Sequence, residues 1–363
     1  MLSAQKLQNT LNEIKEISGM DFYLYDMEGR SKAFTNQSET GLYEVVQNFA
    51  ESEAEQQICK EHILYKIIIE DEAEYILVTN QNAENAGVIG RMAACQIRNL
   101  ILSKTEQFDR NNFIQNVLLG NMLKVDIYSK AKKLHIEAKP RVTYVIDTNG
   151  KSTDLIMELV KNLFDLKSGD FVTSVDEQSV VLIKDVSHIK DMDRELEEIA
   201  ESLVDNLHME AMTKVRVGYG NVITQLPEIA ESYQEAKMAL QVGKIFYAEY
   251  DTISYSRLGI GRLIHQLPLS LCDMFIKEVF GERIPDILED EEAVSTINKF
   301  FENNLNISET ARQLYVHRNT LVYRLERLEK AIGLDIRKFE DAMTYRIAVM
   351  VLAHMKEQRE SRE

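Results

Sequence analysis

Proline is scarce in this chain, with four in 363 residues. So few helix breakers exclude a proline-rich or disordered chain and favour an ordered, helix-rich one. Cysteine is scarcer still. Cys59, Cys95 and Cys272 are odd in number, widely scattered and free of CxxC spacing. That excludes a disulfide framework and a thiolate zinc site, and the three are expected to be reduced, buried filler. No apolar run approaches the roughly 20 residues that a membrane-spanning helix needs. The seven histidines show no HExxH spacing. There is also no P-loop, no GxGxxG and no GxSxG. No catalytic residue, metal ligand or cofactor is expected.

What is present points to globular domains. Apolar residues make up 45% and charged residues 28%, enough for real cores on a soluble chain. The length fits two to three domains. The opening segment MLSAQKLQNTLNEIKEI is an amphipathic helix with Glu and Lys, not a signal peptide, so a cytoplasmic protein is expected. The net charge of −17 argues against wrapping nucleic acid broadly but permits a local contact.

One segment has that local character. Residues 306–333 read NISETARQLYVHRNTLVYRLERLEKAIG. Ser308 is expected to cap a first helix that turns Ala311 and Leu314 inward. The pattern breaks at Tyr315-Val316-His317. A second helix then runs from about Arg318, with Leu321, Leu325, Leu328 and Ile332 at helical spacing and Gly333 at its end. Short helix, tight turn and longer helix make a helix-turn-helix, whose second helix lies in the DNA major groove. The start of that helix is crowded with His317, Arg318, Asn319, Thr320, Tyr323 and Arg324. Arg pairs bidentately with guanine and Asn with adenine, while Thr, His and Tyr hold phosphates or bases. Ser308 and Thr310 complete the candidate DNA-binding set from the first helix. Between Ser308 and Lys330 five basic residues face three acids, a local positive excess on an acidic chain. An ordinary surface helix with paired charges is the alternative.

The stretch from Val316 through His317–Leu321, Tyr323–Leu325 and Gly333-Leu334 to the apolar helix Thr344–Met355 resembles the C-terminal helix-turn-helix of the PucR/CdaR (sugar-diacid regulator) family of bacterial transcription factors. The resemblance implies that His317, Arg318, Asn319 and Thr320 begin the recognition helix.

Upstream, residues 1–105 read as a PAS- or GAF-like α+β sensor. A first helix carries Leu7, Leu11, Ile14 and Ile17. A strand follows from Asp21 and turns at Asp26–Gly29. A helix near residues 41–54 precedes a hairpin of Leu64–Glu70 and Glu74–Thr79. Tyr23, Tyr25, Asp26 and Arg30 are the candidate effector-binding residues, with an organic acid as one effector class. Tyr23 and Tyr25 alternate along a strand and equally suit one buried face. The plan is similar to the family's diacid-recognition domain, but TNQSETGLYEVV replaces that domain's Gly- and His-containing segment, so the resemblance does not name the ligand.

Residues 84–125 form a long helix with Ile89, Ala93, Ile97, Ile101 and Phe108 in a stripe, continued by Ile114, Val117, Leu118 and Met122. An interruption is expected near 109–112. The stripe suits a dimer contact. It suits packing on its own domain nearly as well, and the resemblance favours the homodimer.

Residues 126–255 alternate as βαββαβ, a ferredoxin-like order. Expected strands are 141–147, 171–175, 179–184 and 214–219, with a last one starting at 244–247. This region looks like the family's GGDEF-like middle domain, in degenerate form. The turn that carries the catalytic motif in a diguanylate cyclase is here Val175-Asp176-Glu177-Gln178-Ser179. Without glycines, nucleotide cannot approach the backbone. Asp147 lacks partners for two-metal chemistry. Gly218 and Gly220 are expected to form a strand-end turn. Residues 257–363 are helical, with Leu263, Leu267, Leu271 and Phe275 expected in the core and Pro285 with the acids at 289–292 marking a helix start.

The expectation is a multidomain α+β regulator. A small-molecule effector at the sensor controls a homodimer on a double-stranded DNA operator, with no membrane involved. The alternatives are a nucleotide-handling enzyme and a scaffold whose helix-turn-helix binds protein.

Overall fold

The computed structural model describes residues 4–36, 41–69, 71–81, 85–164 and 169–360. Glu70 and Glu84, at the ends of an expected strand and helix, lie outside the described residues, as do residues 37–40 of the TNQSETGLYEVV segment. The chain divides into two compact units, Met1–Ile114 with Lys132–His135, and Gln115–Ala131 with Ile136–Glu363.

The first unit is built on a five-stranded antiparallel sheet. Its strands are β1 (Phe22–Asp26), β2 (Ser31–Phe34), β3 (Gln56–Cys59), β4 (His62–Ile69) and β5 (Glu72–Asn80), in the order β2-β1-β5-β4-β3. The hairpin β4/β5 forms as expected and turns at Asp71, whose φ is +69°. Strands β2 and β3 were not anticipated; both are four-residue edge strands with mostly exposed side chains.

Period-two alternation sends β1 side chains to both faces. Phe22 and Leu24 pack with Leu7 and Leu11 of α1 (Ala4–Ser18) and with Ala93, Ile97 and Ile101 of α3 (Ala86–Leu118). Tyr23 and Tyr25 pack with Val46 and Phe49 of α2 (Tyr43–Ala50). Ile17, expected inward, is 89% exposed. It lies ten residues beyond Leu7, which at about 100° per residue carries it off the buried stripe.

Helix α3 corrects three expectations. It runs 33 residues without a break at 109–112, where no Pro or Gly interrupts the ladder. It ends at Leu118, before a break at Gly120 (φ +69°), so Met122 is not part of it. Its Ala93–Ile97–Ile101 stripe covers its own sheet, while Phe108 is 63% exposed and outside that stripe.

In the second unit, α4 (Lys124–Lys133) precedes a second five-stranded sheet. Its strands are β6 (Arg141–Asp147), β7 (Phe171–Thr173), β8 (Ser179–Asp185), β9 (Arg216–Tyr219) and β10 (Thr252–Ser254), ordered β10-β9-β6-β8-β7. The first four are antiparallel neighbours, with α5 (Thr153–Leu163) and α6 (Met192–Ala211) packed on one face, as βαββαβ requires. Strand β10 is added parallel to β9. The strand expected at 244–247 begins instead as the last turn of α7 (Ile229–Phe246), because Ala239 and Val242 are needed against Ile253 and Leu258.

Gly218 and Gly220 do not form a strand-end turn. They are where α7 lies directly on β9. A Cβ on Gly220 would sit 2.2 Å from the Ser232 carbonyl oxygen, and one on Gly218 would sit 2.5 Å from that of Ala236. Ser232, fully buried, uses the close approach: its Oγ accepts from the Thr143 N–H at 3.1 Å and donates to the Asn221 carbonyl at 2.9 Å.

The remaining helices are α8 (Ile260–His265), α9 (Leu269–Phe280), α10 (Glu291–Glu302), α11 (Ile307–Gln313), α12 (Arg318–Ile332) and α13 (Phe339–Glu360). Leu263 and Leu271, expected in the core, are 62% and 41% exposed. The buried positions are one residue along, Ile264, Cys272 and Ile276, against Ala348, Val351 and Met355 of α13. Cys272 is thus buried as expected, whereas Cys95 is exposed. Asp290 starts α10, its carboxylate accepting from the Ala293 N–H at 2.8 Å.

Replacing Gly220 with Ala forces α7 away from β9. Chemical denaturation is expected to show a loss of about 1–3 kcal/mol, the usual range for overpacking; unchanged stability would mean that α7 can shift without cost.

Candidate nucleic-acid interface

The first helix of the pair, α11, is capped by Asn306. Its Oδ1 accepts from the Glu309 N–H at 3.1 Å. Ser308, expected to be the cap, lies one residue inside the helix with its side chain exposed. Asn306 takes the cap because its own backbone is extended (φ −86°, ψ 106°) and its side chain reaches the Glu309 N–H, whereas Ser308 is already inside the helix. Thr310 is fully buried, and its Oγ1 donates to the Asn306 carbonyl at 2.8 Å. It therefore secures the helix start from within and presents nothing to a ligand.

The turn closes α11 by a Schellman pair. The Val316 N–H donates to the Ala311 carbonyl at 3.0 Å and the Tyr315 N–H to the Arg312 carbonyl at 3.2 Å. Tyr315 occupies the left-handed position that glycine usually takes, with φ +56°, and its side chain is 96% exposed. Sequence reasoning passed over it as a break in the pattern. An aromatic residue where Gly is usual was the available signal.

Helix α12 begins at His317, whose Nδ1 accepts from the Asn319 N–H at 3.2 Å. Leu321, Leu325, Leu328 and Ile332 are all buried, against Ile297 and Phe300 of α10, Ala311 of α11, and Ala342 and Tyr345 of α13. Gly333 terminates the helix with φ +78°. Asn319, Thr320, Tyr323 and Arg327 lie off that stripe and Arg318 extends it into the first turn, and all five are exposed.

Arg324 is not part of that open set. Its Nη2 lies 2.5 Å from the Glu292 carboxylate, and its Nη1 donates to Thr296 Oγ1 at 3.4 Å. It fastens α12 to α10. At the other end, Arg337 reaches Glu329 at 2.5 Å and Asp335 at 2.6 Å. The Arg337 guanidinium holds the Asp335 carboxyl below its ordinary range. Arg312 similarly pairs with Glu309 at 2.5 Å. The basic excess counted along the chain is thus partly neutralised within the domain.

The four candidate residues of the first unit do not converge. Tyr23 and Tyr25 are buried on the α2 face of the sheet. Asp26 serves its own turn, Oδ1 accepting from the Glu28 and Arg30 N–H groups at 3.0 and 2.8 Å, with Lys32 Nζ at 2.9 Å. Partial burial pushes its carboxyl up, but Lys32 and the two N–H donors hold it below its ordinary value. Arg30 is exposed and lies 2.6 Å from Glu28.

In the second unit the carboxylates of Asp176 and Asp147 accept hydrogen bonds from their own turns. Asp176 Oδ1 accepts from the Gln178 N–H at 3.0 Å and from Ser179 Oγ at 2.7 Å, and Asp147 Oδ1 accepts from the Asn149 N–H at 2.9 Å. No cluster of three or more metal-ligating side chains exists among the described residues. Nor is any helix among them long and apolar enough to cross a membrane.

Comparison with known proteins places these features. Residues 293–351 match the PucR C-terminal helix-turn-helix domain, and residues 120–242 match the GGDEF-like domain. The chain is 26% identical over 170 residues to the purine catabolism regulatory protein of Bacillus subtilis (strain 168), covering 47% of this chain and 32% of that protein. It is 29% identical over 153 residues to the carbohydrate diacid regulator of Escherichia coli (strain K12), covering 42% and 39%. It is 20% identical over 216 residues to the proline-responsive transcriptional activator PutR of B. subtilis (strain 168), covering 58% and 53%. The matched regions thus span between a third and about half of the length of these relatives. A GGDEF-like domain followed by a PucR C-terminal helix-turn-helix domain is thus matched in this chain, which is similar to regulators of the PucR/CdaR type.

Proposed function

We propose that this protein is a DNA-binding transcriptional regulator of catabolism, controlled by a small metabolite and acting as a homodimer in the cytoplasm. The observation that carries the reading is the face of α12. Arg318, Asn319, Thr320 and Tyr323 stand exposed at its first two turns, on a helix held at its middle by Arg324–Glu292 and near its C-terminal end by Arg337–Glu329. A rigid helix presenting a bidentate guanidinium and amide is what major-groove readout needs. His317 and Ser308 border this face. The relatives named above, two of them called regulators and one an activator, support the same reading.

Within it, residues 1–105 are the effector-sensing domain, 84–125 the connecting helix, 126–255 the degenerate GGDEF-like domain and 257–363 the DNA-binding domain. The helix, antiparallel five-stranded sheet and long following helix of the first unit support a PAS- or GAF-like sensor. The effector shifts the protein between two states; typical coupling of about 1–3 kcal/mol is enough. The GGDEF-like domain is read as non-catalytic, since Asp176 and Asp147 already serve their own turns.

Three outcomes test this. Replacing Arg318 and Asn319 together with Ala is expected to remove sequence-specific binding in a gel-shift assay against genomic fragments, each lost base contact costing about 1–3 kcal/mol; specific binding that survives means another surface reads the DNA. Incubation with GTP is expected to yield no cyclic dinucleotide above a no-protein control, and a clear rate would make the middle domain an enzyme. Tyr315→Gly relieves a left-handed tyrosine and is expected to raise stability by roughly 1 kcal/mol in thermal melts. If DNA affinity falls in that same, more stable variant, the Tyr315 ring belongs to the interface.

A further inference from the structure

A cleft of about 850 Å³ opens among the last helices of the second unit, within the size range of small-molecule sites. Helix α13 lines it with Val349, Met350, Ala353 and Met355. Ile276 of α9, Ile284 and Leu288 of the connector that follows, and Phe301 of α10 also face it. Most of the charges around this apolar lining are balanced. Lys277 pairs with Glu282 at 3.5 Å and Arg359 with Asp273 at 3.4 Å. Lys356 and Glu360 stand one turn apart on α13, and Glu289 sits at the positive, N-terminal end of α10. Arg346 has no such counterpart. Three and four residues to either side of it are Ala342, Met343, Val349 and Met350, and no carboxylate pairs with it among the described residues. Its guanidinium carbon lies 5.8 Å from the centre of the Phe301 ring. The Tyr345 ring lies 6.1 Å from that same ring. Tyr345 is only 5% exposed, yet its hydroxyl has no hydrogen-bond partner among the described residues. Burial pushes that hydroxyl up to about 12, so it keeps its proton at neutral pH and remains a donor. A donor on so deeply buried a ring calls for an acceptor from outside the chain.

We propose that this cleft binds an aliphatic monocarboxylate, whose carboxylate accepts from Arg346 and the Tyr345 hydroxyl while its chain lies along α13 over Val349, Ala353 and Met355. The unmatched guanidinium selects the anion, and its planar fork suits a carboxylate. The balanced charges at the far end leave no second cation for a dicarboxylate. From Arg346 to Met355 the helix runs roughly 14 Å at 1.5 Å per residue, about the extended length of dodecanoate. The site does not rest on the reading of residues 1–105 as a sensor or on DNA binding. It does share a wall with the support of α12, because Tyr345 and Phe301 also pack in the core that buries Leu321, Leu325 and Leu328.

Isothermal titration calorimetry of the full chain with sodium dodecanoate, kept below its micelle concentration, tests the site. The wild type is expected to show one saturable site per chain. Arg346→Gln and Tyr345→Phe are each expected to weaken binding by roughly 10-fold, the loss of a hydrogen bond to a charged group. Dodecanol, with the same chain and no charge, is expected to bind more weakly than dodecanoate by a similar factor or more. Far-UV circular dichroism should be unchanged in both variants, since Arg346 is exposed and Tyr345→Phe removes only an unpaired hydroxyl. A second measurement needs no variant. Dodecanoate carrying a diazirine at its chain end is expected, on irradiation, to label α13 near Met355. The absence of saturable binding overturns the proposal. So does an affinity indifferent to both substitutions, dodecanol bound as tightly as dodecanoate, or label found only on other segments.

Discussion

The organising constraint is that four aliphatic side chains on α12 have to leave water together. Leu321, Leu325, Leu328 and Ile332 step by 4, 3 and 4 residues, so one stripe of the helix is committed to the core formed by α10, α11 and α13. Their burial is worth roughly 1.5–3 kcal/mol each as an upper figure. Once that stripe is fixed, the direction of every other side chain on the helix follows from 100° per residue. Asn319 and Tyr323 are exposed because they occupy what is left, and Arg318 is exposed because it extends the stripe into the first turn, beyond the core. The ion pairs at Arg324 and Arg337 add little net stability of their own beside this term. They matter as locks on the rotation and tilt that the leucines leave slightly free.

The same constraint explains how much was legible in the sequence. Where periodicity was strong and one-sided, elements emerged close to their observed bounds: Arg141–Asp147 as a strand, Arg318–Ile332 as a helix, the β4/β5 hairpin around Asp71. Phase failed where apolar residues are dense. In IGRLIHQLPLSLCDMFI nearly every register offers a plausible stripe, and Leu263 and Leu271 were taken for the Ile264 and Cys272 that α13 actually covers. Strands β2 and β3 left no signal, because edge strands with exposed side chains need no alternation.

Candidate residues divided along the same line. The exposure of Arg318 and Asn319 at the start of α12 agrees with what residue type and helix position suggested. Residues whose role is settled by partners distant in sequence could not be placed that way. Arg324 is tied to Glu292. No local pattern distinguishes a guanidinium that will meet DNA from one that will meet a carboxylate 32 positions earlier. Likewise, Gly218 and Gly220 have the look of a turn, and only the approach of α7 reveals them as clearance for a backbone.

The internal pairing of Arg324, Arg312 and Arg337 changes what ionic strength would do to a protein–DNA complex. Guanidiniums already neutralised by Glu292, Glu309, Asp335 and Glu329 displace few counterions from a phosphate backbone. The slope of log affinity against log salt reports that displacement, and here it would reflect little more than Arg318, Arg327 and Lys330 in each copy. On a body of net charge −17, such a shallow slope means that the rest of the molecule is repelled from the duplex. A complex of that kind draws little on nonspecific attraction, so its residence on any site depends mainly on the hydrogen bonds it can make there.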